Sequence, residues 1–169
     1  MEKFLRLSLT LVMLLAFLFS INATASDEMV ISGILSTDEL AEGRSLPNYG
    51  VIEENENARG TAVPTVSAGS RWDFRGEASS STLFTSRYVT GKTSYSIHVD
   101  NYHATKSLRV RAGTVGTTVF GFPNLSFFRT EYVPAGGYAG WTLSDRNASD
   151  GIGLEFAAPS NFSGYIEGK

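Results

Sequence analysis

Three side chains in this sequence have the chemistry and spacing of metal ligands. His98 and Asp100 are two residues apart, so on a strand both leave the same face, and His103 follows after a short turn. Imidazole and carboxylate together suit zinc or a similar divalent ion. A structural zinc site needs a fourth ligand and a catalytic one keeps a water, and no further ligand is evident nearby. A second set, Asp145, Asn147 and Asp150 followed by Gly151, has the alternating oxygen donors of a calcium loop, but its spacing is off by one and no bidentate Glu follows at the right distance. The alternative for the first set is a pair of exposed strand residues and a turn histidine. For the second it is a plain turn, which the same residue types favour. The expectation is therefore no cofactor, with calcium or zinc as the alternative.

Nucleophilic catalysis finds less support. Gly-x-Ser-x-Gly does not occur, and the only histidines are His98 and His103. The absence of cysteine removes disulfides, thiolate metal sites, a cysteine nucleophile and a lipoprotein anchor. The chain is read as a non-enzyme, with a small metal-dependent hydrolase as the remaining catalytic alternative.

Binding chemistry is better represented. Arg109 and Arg111 leave one face of a predicted strand, and Arg75, Arg87 and Arg129 flank other strands. Together they would form a basic face for an anionic polymer, or a surface on which an acidic segment of the same chain could lie. Aromatic side chains for stacking on a sugar ring are Tyr102, Tyr138 and the outward member of the Phe127-Phe128 pair. Phe122, beside the Pro123-Asn124 turn, would be sticky if it stands at a loop tip. Trp72, Trp141 and Tyr165 are expected in the core.

These residues must be positioned by something, and composition indicates what. The chain has 169 residues, a net charge of −3, 17 glycines and 20 aromatics (2 Trp, 7 Tyr, 11 Phe), with 18% charged residues. Such a balance favours an all-β fold and argues against a general nucleic-acid binder. Lys3 and Arg6, the apolar run Leu7 to Phe19 and Ala23-Thr24-Ala25 have the order of a secretory signal, predicting cleavage near Ala25-Ser26 and an extracellular product. The apolar run is short for a membrane span, and no second one follows. Residues 26–70 carry eight acidic and two basic side chains with a single aromatic, Tyr49. So little apolar area predicts a flexible acidic arm, except that Met29 to Leu35 could add to a sheet as a strand.

Residues 71–169 hold 16 of the aromatics and alternate apolar with polar side chains over Tyr95–Asp100, Leu108–Arg111 and Ile152–Phe156. Further strands are predicted at 71–75, 82–89, 117–121, 126–132, 138–143 and 162–167. Thr90-Gly91 is read as a hairpin turn. The fold expectation is a single antiparallel β-sandwich of jelly-roll type. The functional expectation is a secreted binding module for anionic or neutral polysaccharide. The alternative is a protein–protein or toxin-like factor acting through the Phe122 region.

Overall fold

The computed structural model describes residues 30–43, 47–53, 65–67, 71–115 and 125–169. The predicted signal, the 117–121 strand and Phe122 lie outside the described residues. Twelve strands and one short helix follow in the order β1 (Ile31–Ile34), α1 (Thr37–Gly43), β2 (Val51–Glu53), β3 (Thr65–Ser67), β4 (Trp72–Ala78), β5 (Leu83–Thr85) and β6 (Tyr88–Thr90). Then come β7 (Tyr95–Asn101), β8 (Leu108–Val115), β9 (Leu125–Val133), β10 (Gly137–Leu143), β11 (Ile152–Phe156) and β12 (Ser160–Gly168). They build an antiparallel β-sandwich. Its first sheet has the order β1-β10-β7-β12-β4. In the second, β11 pairs with β8 on one side and with β5 and β6 on the other, β9 lies outside β8, and β2 and β3 lie outside β5 and β6. The β3–β6 pair alone among the described pairs is parallel.

Alternation produces this arrangement. In β7, Tyr95, Ile97 and Val99 are buried while Ser96, His98 and Asp100 are half-exposed. Between the sheets, Phe156 of β11 stacks on Phe162 of β12 at 3.9 Å, and Phe74 of β4 lies 5.2 Å from Phe156. Three rings packed across the interface supply much of the apolar area that holds the sheets together. Gly76 makes room for this: a Cβ there would lie 2.8 Å from Phe162 Cζ.

The described parts of residues 26–70 differ from a free arm. β1 pairs with β10, as the Met29–Leu35 pattern allowed, and β2 and β3 extend the other sheet. Asn48 acts as a strand residue through its side chain: Nδ2 donates to Glu77 O (3.2 Å) and Oδ1 accepts from Glu77 N (2.7 Å). Tyr49 bridges to Arg75, and the chain then crosses to β5 through Gly50 at φ 67°, a conformation that favours glycine. Charge and low aromatic content suggested disorder because they measure apolar area, whereas these short strands are held by backbone pairing to edges that the domain already presents. Ser36 and Glu39 cap α1 reciprocally, with Ser36 N donating to Glu39 Oε2 (2.7 Å) and Glu39 N to Ser36 Oγ (3.3 Å).

Three local expectations are corrected. Thr90-Gly91 is not a hairpin, because β6 and β7 belong to different sheets and the chain crosses over there. The predicted 82–89 strand is broken at Ser86-Arg87 into β5 and β6. Trp141 is in the core and Trp72 packs half-buried against it, but Tyr165 faces outward, since Phe162 and Ile166 take the inward positions of β12.

Candidate functional site

The β7–β8 turn is organised by one buried amide. Asn101, fully buried at the end of β7, donates from Nδ2 to Lys106 O (2.9 Å), Val133 O (3.2 Å) and Pro134 O (3.0 Å), while Oδ1 accepts from His103 N (3.1 Å). His103 Nδ1 accepts from Thr105 N (3.3 Å) and Lys106 N (3.2 Å), and Gly136 N donates to His103 O (3.0 Å). The turn is thus fixed to both sheets before any ligand arrives. Tyr102 is oriented by its hydroxyl, 2.7 Å from Ser163 Oγ, and its backbone N donates to Asn161 O (2.7 Å). Burial raises the Tyr102 phenol above its ordinary value, partly offset by the Ser163 hydrogen bond.

This turn forms one wall of an open cleft of about 420 Å³ at the end of the sandwich. Tyr102, His103 and Ala104 face Glu77, Ala78 and Ser79 at the end of β4, and Pro159, Ser160 and Asn161 at the start of β12 complete it. Ser160 is 3% exposed, and neither its Oγ nor the buried Asn161 Oδ1 has a hydrogen-bond partner among the described residues. Buried polar atoms are ordinarily paired, so two oxygens without a partner among the described residues, on adjacent residues that line one cleft, are a feature to be explained. The cleft combines a half-buried ring, an imidazole, a carboxylate and amide and hydroxyl groups, a set suited to a polyhydroxylated ligand.

The other expected residues fall elsewhere. On the outer face of the first sheet, His98 stacks between Tyr138 (5.5 Å, 29°) and Tyr165 (5.5 Å, 16°). The Arg71 guanidinium covers Tyr165 at 3.8 Å, and the Tyr138 ring lies over Gly33, where a Cβ would come within 2.5 Å of it. Tyr138 therefore spends its faces on internal contacts rather than on an open platform. His98 Nε2 is 2.9 Å from Asp100 Oδ1, and Ser163 Oγ donates to Asp100 Oδ2 at 3.3 Å. His103 is engaged in its own turn, so the expected trio is not a ligand set. Asp145 takes φ 56°, and Asn147 Oδ1 accepts from Ser149 N (3.2 Å) and Ser149 Oγ (3.0 Å), which with Asp150 makes a turn. Among the described residues, no group of three His, Asp or Glu side chains could hold a metal ion.

Nor do the arginines assemble one basic face. Arg109 and Arg111 do leave the same face of β8, but both engage Glu155, which is 4% exposed: Arg111 Nε donates at 2.7 Å with a second short contact from Nη2, and Arg109 Nη2 lies at 3.6 Å. Arg111 also covers Phe127 at 3.8 Å. Arg87 is exposed at the β5–β6 bend, separated from them by β11. Arg75 is buried on the other sheet, and Arg129 turns inward to Glu131 at 2.7 Å. A bulge between Ala112 and Gly113 disturbs the alternation of β9, so Phe127 (36%) and Phe128 (38%) are both exposed, with Tyr132 (65%) further along the strand.

Sequence reading singled out Tyr102 and His103 but missed Glu77, Ser160 and Asn161. Their only early signal was polarity at strand ends, which is common.

No family model matches the chain, and no curated protein matches it. A solved structure described as "Binding sub-site dissection of a family 6 carbohydrate-binding module by X-ray crystallography and isothermal titration calorimetry" is similar over 64% of this chain and 98% of its own, with 8% identity and a TM-score of 0.37. That likeness is too distant to bear on function.

Proposed function

We propose that this chain is an exported, non-enzymatic module that binds polysaccharide through the cleft between Tyr102 and Asn161. The observation that carries the reading is the cleft itself: a fixed turn, a half-buried aromatic residue and carboxylate, hydroxyl and amide side chains line one volume. Sugar rings are recognised by this combination, an aromatic ring for the C–H face and side-chain oxygens and nitrogens for the hydroxyls. The non-enzymatic part rests on how the histidines are used. Among the described residues, neither His98 nor His103 is hydrogen-bonded to a Ser or Thr hydroxyl. Export rests on the three-part pattern of residues 1–25.

The test is co-sedimentation of residues 26–169 with insoluble cellulose, xylan and bacterial cell wall, with soluble oligosaccharides as competitors. Saturable, competable pelleting without release of reducing sugar is expected. Absence of pelleting on all three supports, or release of sugar, would contradict the reading. A protein–protein role has one observation in its favour, the exposed Ile31 (52%) and Ile34 (83%) on β1 at the edge of its sheet.

A further inference from the structure

We infer that the cleft selects uncharged sugar units over acidic ones. This rests on the polysaccharide reading and names the class of glycan that the site takes.

The inference comes from where the charges lie. Nine residues line the cleft, and the carboxylate of Glu77 is their one permanently charged group, with no Lys or Arg among them. His103 spends its Nδ1 on two backbone N–H groups of its own turn, which leaves only Nε2 for other partners. The remaining polar groups, Asn161 and Ser160, are neutral and can both give and take hydrogen bonds, as sugar hydroxyls can.

No arginine of the expected basic face reaches the cleft, and Lys106 of the same turn is exposed but does not line it. Arg109 and Arg111 share Glu155 on the outer face of the other sheet. Arg75, although 5.7 Å from the Tyr102 ring centroid, is fully buried and does not line the cleft. A uronic acid entering the cleft would bring its carboxylate towards Glu77 and lose water without gaining a counter-charge.

The experiment is calorimetric titration of residues 26–169 with xylohexaose and cellohexaose, and with oligogalacturonate of equal length, at low and at high salt. The neutral series should bind more tightly by about fivefold or more at low salt, with the gap narrowing as salt screens Glu77. Glu77→Gln keeps an oxygen acceptor and removes the charge, so it should narrow the same gap at low salt. Equal or tighter binding of oligogalacturonate by the unmodified protein would overturn the selectivity and leave cleft binding standing. Binding of neither series would overturn the polysaccharide reading, and the selectivity with it.

Discussion

The imidazole of His98 lies nearly parallel to the ring of Tyr165, with centroids 5.5 Å apart and planes 16° apart. With Tyr138 on the far side of His98 and Arg71 on the far side of Tyr165, the row consumes its own ring faces. Rings used in this way stabilise the sheet and do not receive a sugar. Tyr165→Ala should lower unfolding free energy by about 1–3 kcal/mol, from lost area and stacking. It should leave polysaccharide binding unchanged. Urea denaturation and pelleting on the same sample check both halves, and lost binding in a stably folded variant would contradict the assignment.

Asn101 ties the His103 turn to the end of β9 through four hydrogen bonds, two to the turn itself and one each to Val133 O and Pro134 O. Asn101→Ala leaves three carbonyls and one N–H without that partner, so a loss of about 2–4 kcal/mol is expected. Because the same turn forms the cleft wall, affinity should fall even where the variant remains folded. An unchanged urea midpoint would show that the amide does not organise the turn.

How much of this was legible in the sequence depends on the kind of information. Alternation in Tyr95–Asp100 defined a strand that the structure reproduces closely, because a half-buried sheet imposes period two, whereas Ile152–Phe156 alternates in sequence although all five residues are buried, with Glu155 paired to arginines on the outer face. Sheet membership was not legible. Thr90-Gly91 has the residues of a hairpin, yet the chain there passes between sheets, a choice made by long-range packing. The cleft was half legible: Tyr102 and His103 stood out as an aromatic and an imidazole, whereas Glu77 and Asn161 become neighbours only through the β4–β12 register. The apparent basic face dissolved because Glu155, distant in sequence, pairs opposite Arg111.

That pairing gives a sharp expectation. Glu155 is almost fully buried against two partly exposed arginines, so Glu155→Ala should cost about 1–3 kcal/mol by removing the carboxylate partner of Arg111. A double substitution with Arg111→Leu should recover part of the loss. Thermal unfolding of the four proteins of this cycle measures it, and additive losses would contradict the coupling.

The paired strands of residues 26–70 change what truncation should do. Removing them strips β1 from β10, β2 from β5 and β3 from β6, and uncovers three strand edges. Residues 71–169 alone should aggregate or unfold at lower urea than residues 26–169. Equal stability of the two would mean that these strands are dispensable.

Alkaline pH probes the second sheet. Burial pushes the Tyr88 phenol up to about 12, so the folded state keeps it neutral after the unfolded chain has begun to ionise near the ordinary value of 10.0. Its contribution to stability is complete below that ordinary value and is lost as pH rises from about 10 towards 12. Tyr88→Phe should flatten this fall in the denaturation midpoint. An unchanged alkaline limb would assign it to other groups.

The most direct test of the central claim blocks the cleft and spares the rest. Ala104 is exposed on its wall, so Ala104→Trp should fill the opening at little cost in stability. Tyr132→Ala removes the most exposed aromatic of β9, on the opposite sheet. Calorimetric titration of both with xylohexaose should show affinity reduced by about tenfold or more in Ala104→Trp and unchanged in Tyr132→Ala. Full affinity in Ala104→Trp with loss in Tyr132→Ala would move the binding surface to β9 and contradict the account.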